Sequence, residues 1–160
     1  MSKIRLEAFG RFGDADDHPE AAGKHLGDAL VLREAKRWDG AAYLAGYVVE
    51  CSLKCLVIIE HNGNVGLAQA GAQARGLGHD LNALSQEALR LAALPGARTA
   101  RYVPRMTSGH SMYDASRGWR ETLRYREPGA VAPADADCWV AEAKAVFEST
   151  VVPMRIDGVV

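Results

Sequence analysis

The chain has little cysteine, little proline, few aromatics and no long unbroken apolar run. Its three cysteines, Cys51, Cys55 and Cys138, make neither an even set nor a C-x-x-C pair. That spacing excludes a disulfide framework and a cysteine-rich zinc site, and predicts three reduced, mostly buried thiols. No stretch reaches the roughly 18–20 apolar residues of a membrane span. The longest, 41–59, is interrupted by Glu50, Ser52 and Lys54. Met1-Ser2-Lys3-Ile4-Arg5 carries charge with no apolar segment behind it, so the expectation is a cytoplasmic protein with no secretory signal and no membrane contact. Excess charge of one sign is missing too: 19 basic against 20 acidic residues leave −1, which argues against nucleic-acid binding by bulk positive charge. There is no glycine-rich phosphate loop after a strand, no nucleophile elbow and no cluster of metal-ligand residues. Enzyme classes built on those motifs, and a bound cofactor or metal, therefore find no support.

What is abundant is alanine, 27 of 160 residues. Alanine and leucine with glutamate, arginine and lysine favour helix, and period-two alternation is hard to find. The fold class expected is all-α, one domain, an antiparallel (up-and-down) bundle of four to five helices. A chain of this length buries roughly two-thirds of its unfolded surface, enough for a core without staples. Residues 1–16 read as a lead-in, 17–152 as the bundle and 153–160 as a C-terminal tail.

The first helix should begin at Asp17-His18-Pro19-Glu20, an N-cap with proline in the first turn and glutamate three residues on. Its end is placed at Trp38, with Asp39-Gly40 as the break. The second helix, 40–60, is apolar nearly all round and so belongs at the centre of the bundle. Gly46 within it costs about 1 kcal/mol against alanine, a cost that close approach of a neighbouring backbone would explain. Asn62-Gly63-Asn64 should end it. Residues 65–79 read as a mobile connection with at most one helical turn. A third helix starts at Asp80, with Leu81, Leu84, Ala88 and Leu91 on one stripe, and stops at Leu94-Pro95-Gly96. Residues 97–126 read as short helical pieces and loops, and 128–133 as a linker. A last helix over 134–152 buries Trp139, Ala143, Val146, Phe147 and Thr150 before Pro153 ends it.

Glu50 and Lys54 lie at i and i+4 in the most apolar helix. Two readings follow: an ion pair on the one exposed strip of that helix, or the polar floor of a groove at a helix or subunit interface. The surrounding run, Gly40-Ala-Ala-Tyr-Leu-Ala-Gly-Tyr-Val-Val-Glu50-Cys-Ser-Leu-Lys54, resembles the second-helix signature of bacterial HEPN-domain proteins. Gly78-His79-Asp80-Leu81, Trp119, Arg124-Tyr125 and a final helix with Trp139 follow in that family's order. The resemblance spans roughly residues 20–150. It implies a helical bundle that forms homodimers. Many members are metal-independent endoribonucleases, often toxins of toxin–antitoxin pairs. Others are inactive binding modules, and many pair with a small nucleotidyltransferase. Its catalytic signature is arginine, four to six residues, then histidine near the start of a late helix.

Arg105-Met-Thr-Ser-Gly-His110 matches that spacing, which makes Arg105 and His110 the candidate catalytic pair, although Pro104 and Ser108-Gly109 suggest a loop. Imidazole can move a hydroxyl proton and guanidinium can hold a phosphate. Arg124 lies nearer the expected place but has no histidine after it. The other reading of His110 is an exposed loop residue. His79 beside Asp80 reads as a helix-start residue or a ligand contact, with Arg75 four residues before it. His18, His25 and His61 have no partners in sequence. Seven of the fourteen arginines fall between Arg98 and Arg126, opposed only by Asp114 and Glu121, so this segment carries +5. Interleaved aromatics make Arg101, Tyr102, Arg120, Arg124 and Tyr125 candidates for binding nucleotide or RNA. The other reading is a solvated face paired with the acidic remainder. Two functions stand: a HEPN-type nucleotide- or RNA-binding protein with endoribonuclease activity, or a non-catalytic module that docks a partner such as a nucleotidyltransferase.

Overall fold

The computed structural model describes residues 17–105 and 110–160; the lead-in expected over 1–16 lies outside them. Among the described residues there are five α-helices and no strand, as the composition predicts. They are α1 (His18–Glu34), α2 (Trp38–Val65), α3 (Leu67–Gly76), α4 (Leu81–Ala92) and α5 (Pro133–Ile156). Two 3₁₀ pieces, Ser111–Tyr113 and Glu121–Tyr125, punctuate the segment between α4 and α5.

α2 is the hub, packed against α1, α3, α4 and α5. It is long and apolar enough to cross a membrane by length and composition. Its apolar surface is nevertheless spent on neighbours: 83% of the most apolar window is buried inside the protein. Val48, Val49, Leu53, Leu56 and Ile59 are sealed in the main core with Leu84, Trp139, Val140 and Met154. Each such side chain contributes about 1.5–3 kcal/mol by leaving water.

Helix ends follow local chemistry, in several places unlike the sequence reading. The Asp17 carboxylate caps α1 by accepting from the Glu20 N–H, and Asp80 caps α4 by accepting from Asn82 and Ala83. α1 stops at Glu34, before the expected Trp38. Arg37 donates to the Leu32 carbonyl and Lys36 to that of Arg33, the paired bonds of a Schellman turn. Its left-handed position, φ +57°, is held by Lys36 where glycine is usual. α2 runs through Asn62-Gly63-Asn64 and ends at Gly66, φ +81°. α3 replaces the mobile connection: Ala70 and Ala74, four apart, are small enough to pack flush on Val57, Ile58 and Leu91. α5 continues past Pro153 to Ile156, closed by Gly158 at φ +67°. The backbone bond that Pro153 cannot donate is outweighed by burial of Val151 and Met154.

The strictly up-and-down order is also corrected. α1 to α4 alternate, but α5 runs in the same direction as α2. Asp39 near the start of α2 accepts from Gly129 and Val131 just ahead of α5, while Arg155 near its end meets Glu20 at the start of α1. A crossover over 93–132 brings the chain back to the end of the bundle where α2 begins.

That crossover carries Trp119 onto α2. Its indole lies flat over Gly46 and donates to the Tyr43 carbonyl at 2.9 Å. A Cβ on Gly46 would stand 2.0 Å from the ring, so the close neighbour is an indole and not a backbone. Gly46→Ala is therefore expected to lower stability by about 1–3 kcal/mol in urea unfolding followed by circular dichroism. A gain in stability, as helix propensity alone would give, would refute this packing account.

Candidate functional site

Tyr43, Tyr47, Glu50 and Lys54 recur at intervals of four, three and four, so they share one face of α2. The stripe is about 16 Å long at 1.5 Å per residue. Lys54 Nζ donates to Glu50 Oε1 at 2.8 Å, and His79 Nδ1 lies 2.9 Å from Glu50 Oε2. A carboxylate only accepts, so Nδ1 carries a proton and the opposite nitrogen, Nε2, is turned away from Glu50. Glu50 is 4% exposed and Lys54 5%, whereas the His79 side chain is 46% exposed. The pair is therefore not on an exposed strip. It is a buried floor beneath a half-exposed imidazole.

Tyr47 sits at the centre of an aromatic cluster. Its ring meets Tyr43 at 5.1 Å, Trp119 at 5.0 Å and His79 at 6.2 Å, each edge to face, and His25 at 5.6 Å. Burial first, and then the hydrogen bond with Tyr43, push the Tyr47 phenol well above its usual range. The Tyr43 hydroxyl in turn raises the Arg124 guanidinium further, keeping it charged.

At the Tyr43 end lies a groove of about 570 Å³. Lys36, Arg37, Trp38, Tyr43, Arg124 and Arg126 line it, with the acids Asp39 and Glu127. Asp39 is engaged by the Gly129 and Val131 amides at 2.6 and 2.9 Å. Four cations thus face two acids, one of them held by backbone. On the rim, the Arg124 guanidinium lies 4.8 Å over the ring of Tyr125, which is 75% exposed. A cavity of about 370 Å³ beside Trp119 includes Arg120 and His79.

The remaining sequence candidates are scattered. Arg101 is exposed and pairs with Asp157 at 3.1 Å. Tyr102 is 3% exposed, donates to Asp157 at 2.6 Å and accepts from Thr150 through its carbonyl, so its ring belongs to the core, with the Arg101 guanidinium 5.2 Å over it. Arg105 is exposed, and residues 106–109 between it and His110 lie outside the described part. His110 is largely buried: Nδ1 accepts from the Met112 amide at 3.2 Å, and Nε2 faces Glu142 at 3.8 Å. The basic segment is not one strip. Arg98 and Thr99 are held on Glu60, while Trp119 is held on Tyr43, about 25 Å away along α2. Sequence reasoning missed Lys36, Arg37 and Trp38. Their signal was a run of two cations and an indole at a helix break. It also placed His79 at a helix start without its partner on α2.

Compared with known proteins, the chain matches no family model, no curated protein and no solved structure.

Lys54→Met strands Glu50 without its ammonium and should cost about 3–5 kcal/mol, whereas Glu50→Met with Lys54→Met should recover most of it. Urea midpoints of the two variants decide this, and equal loss in both would show that the pair is not a coupled unit. His25 supplies a pH test. Burial, and then the Lys24 ammonium, hold its imidazole below the usual range, and its buried Nδ1 has no partner among the described residues. Below about pH 6.5 the unfolded chain takes a proton there that the folded chain resists. This contribution is intact above that range and fades as pH falls. His25→Gln should therefore lose less stability than wild type between about pH 7 and 5; an identical fall would exclude His25 as a source.

Proposed function

We propose that the chain is a HEPN-like protein that binds a nucleotide or RNA by its phosphate in the groove between the α1–α2 turn and residues 123–131. The observation that carries this is the Arg124–Tyr125 pair on the rim of a groove lined by Lys36, Arg37, Arg126 and Trp38. Guanidinium forks suit phosphate oxygens, and exposed aromatic faces suit bases. Lys36 strengthens the reading, since a lysine held at φ +57° keeps a cation where glycine would be easier.

Arg105 and His110 support cleavage less well. His110 is committed to the Met112 amide and packs on Tyr113, an arrangement that serves the loop. The geometry supports binding first, with endoribonuclease activity as a separate question for an assay on the same protein.

Fluorescence anisotropy with a labelled single-stranded oligoribonucleotide tests the proposal. Affinity should fall steeply between about 50 and 200 mM salt, because phosphate contacts release counterions. Arg124→Ala and Arg126→Ala should each weaken binding about tenfold, in line with a lost charge-assisted bond, while Arg101→Ala should not. No binding at low salt, together with co-purification of an acidic protein partner, would replace this reading by the docking one.

A further inference from the structure

The groove of about 570 Å³ draws its cations from two stretches of chain. Lys36 and Arg37 stand on the α1–α2 turn, Arg124 and Arg126 on the crossover. All four residues are exposed, and none has an ion pair among the described residues. Against them the lining sets two acids, Asp39 and Glu127. Both oxygens of Asp39 are occupied, by the Gly129 amide at 2.6 Å and the Val131 amide at 2.9 Å. Leu32, Trp38, Leu123 and Val131 complete the lining; they offer nothing to a phosphate and suit a base.

The charge of this site is too high for an internal stretch of RNA. A groove of this volume holds about one nucleotide, and a nucleotide inside a strand brings about one negative charge. A second phosphodiester would bring a second sugar and base with it. Consecutive phosphoryl groups on one 5′ oxygen bring charge without that bulk. Lys36 points the same way. It holds φ +57°, a conformation that glycine adopts without strain. Its N–H donates to the Arg33 carbonyl, a backbone bond that glycine would make equally. What lysine adds at this position is a cation on the groove.

We propose that the groove takes the 5′-polyphosphate of a nucleotide, with Arg124 and Arg126 on one phosphoryl group, Lys36 and Arg37 on the next, and the base on the apolar lining around Trp38. A free nucleoside di- or triphosphate and the 5′-triphosphate end of an RNA strand share this chemistry. The inference rests on the groove reading above and narrows it: an internal phosphodiester engages one cation pair and leaves the other empty.

Calorimetric titration of the intact chain decides it, at about 50 mM salt with divalent cations chelated. The probes are adenosine 5′-mono-, di- and triphosphate and inorganic triphosphate. Affinity should rise along the nucleotide series, by at least about tenfold from mono- to triphosphate. Inorganic triphosphate, which has no base, should bind at least about tenfold more weakly than the nucleoside triphosphate. Lys36→Gly should fold with an unchanged or higher Tm. It should lose about tenfold in affinity for the triphosphate and stay within about twofold of wild type for the monophosphate. Two oligoribonucleotides of one sequence, with a 5′-triphosphate or a 5′-hydroxyl, separate the sources. A triphosphate end that outbinds the free nucleotide identifies a strand as the ligand; the converse identifies the free nucleotide. Equal affinity for mono- and triphosphate, equal affinity for inorganic and nucleoside triphosphate, or an unaltered preference in Lys36→Gly would overturn the inference. Tight binding of the 5′-hydroxyl strand with no polyphosphate preference would overturn it and leave the groove reading standing, whereas no binding of any probe would overturn both.

Discussion

A carboxylate with 4% of its surface in water must be surrounded by donors, and Glu50 takes them from two separate parts of the chain. Lys54 comes from the next turn of the same helix, and His79 from the turn between α3 and α4. This requirement reaches well beyond the three residues. It fixes where α3 must end and where Asp80 can start α4. It also decides which stripe of an otherwise apolar helix stays polar, and so where the aromatic rings of Tyr47 and Trp119 come to rest. Every cavity discussed above opens beside that stripe or at one of its ends.

The crossover between α4 and α5 is secured by the same device in a cheaper form. It has little regular secondary structure, so its backbone amides need acceptors from elsewhere. Glu60 accepts from Arg98, from Thr99 and from the Thr99 hydroxyl; Asp39 accepts from Gly129 and Val131. Between them Asp114 gathers Ser116 and Arg117 into a turn. The Ser116 hydroxyl, with those two amides, holds its carboxyl down at about 2. Acidic side chains staple a basic segment to the bundle, and the arginines are spread along α2 as a result. A segment charge of +5 in sequence is divided in space between the Glu60 and the Tyr43 ends of α2, and at the first of these Arg101 is paired with Asp157.

Much of the fold was legible because its signals are local. The stripe from Leu81 to Leu91 is buried as its spacing predicts, Asp17 and Asp80 cap the helices they precede, and α2 is central because it is apolar all round. The misread features depend on distant partners. α3 has no bulky periodic residues, only alanines that become a face once α2 lies against them. The turn at Lys36 lacks its usual glycine. Gly63 stays helical beneath the Arg98 guanidinium, and Pro153 is carried by the burial around it. The site divided in the same way. Glu50 and Lys54 were visible as a pair four residues apart, but His79 is 29 residues from Glu50, with no periodicity to connect them. Tyr102 was misjudged for the converse reason: an aromatic among arginines looks like a stacking residue until its hydroxyl is seen to be tied to Asp157.

The indole laid over Gly46 also constrains how this sequence can change. A larger residue at position 46 fits only after the ring at position 119 has been lost. Losing that ring first leaves a void beside Tyr47 and removes the donor to the Tyr43 carbonyl. Either order of substitution thus passes through a damaged intermediate. The two positions behave as a single hereditary unit, even though one lies in the most regular element of the fold and the other in one of the least regular.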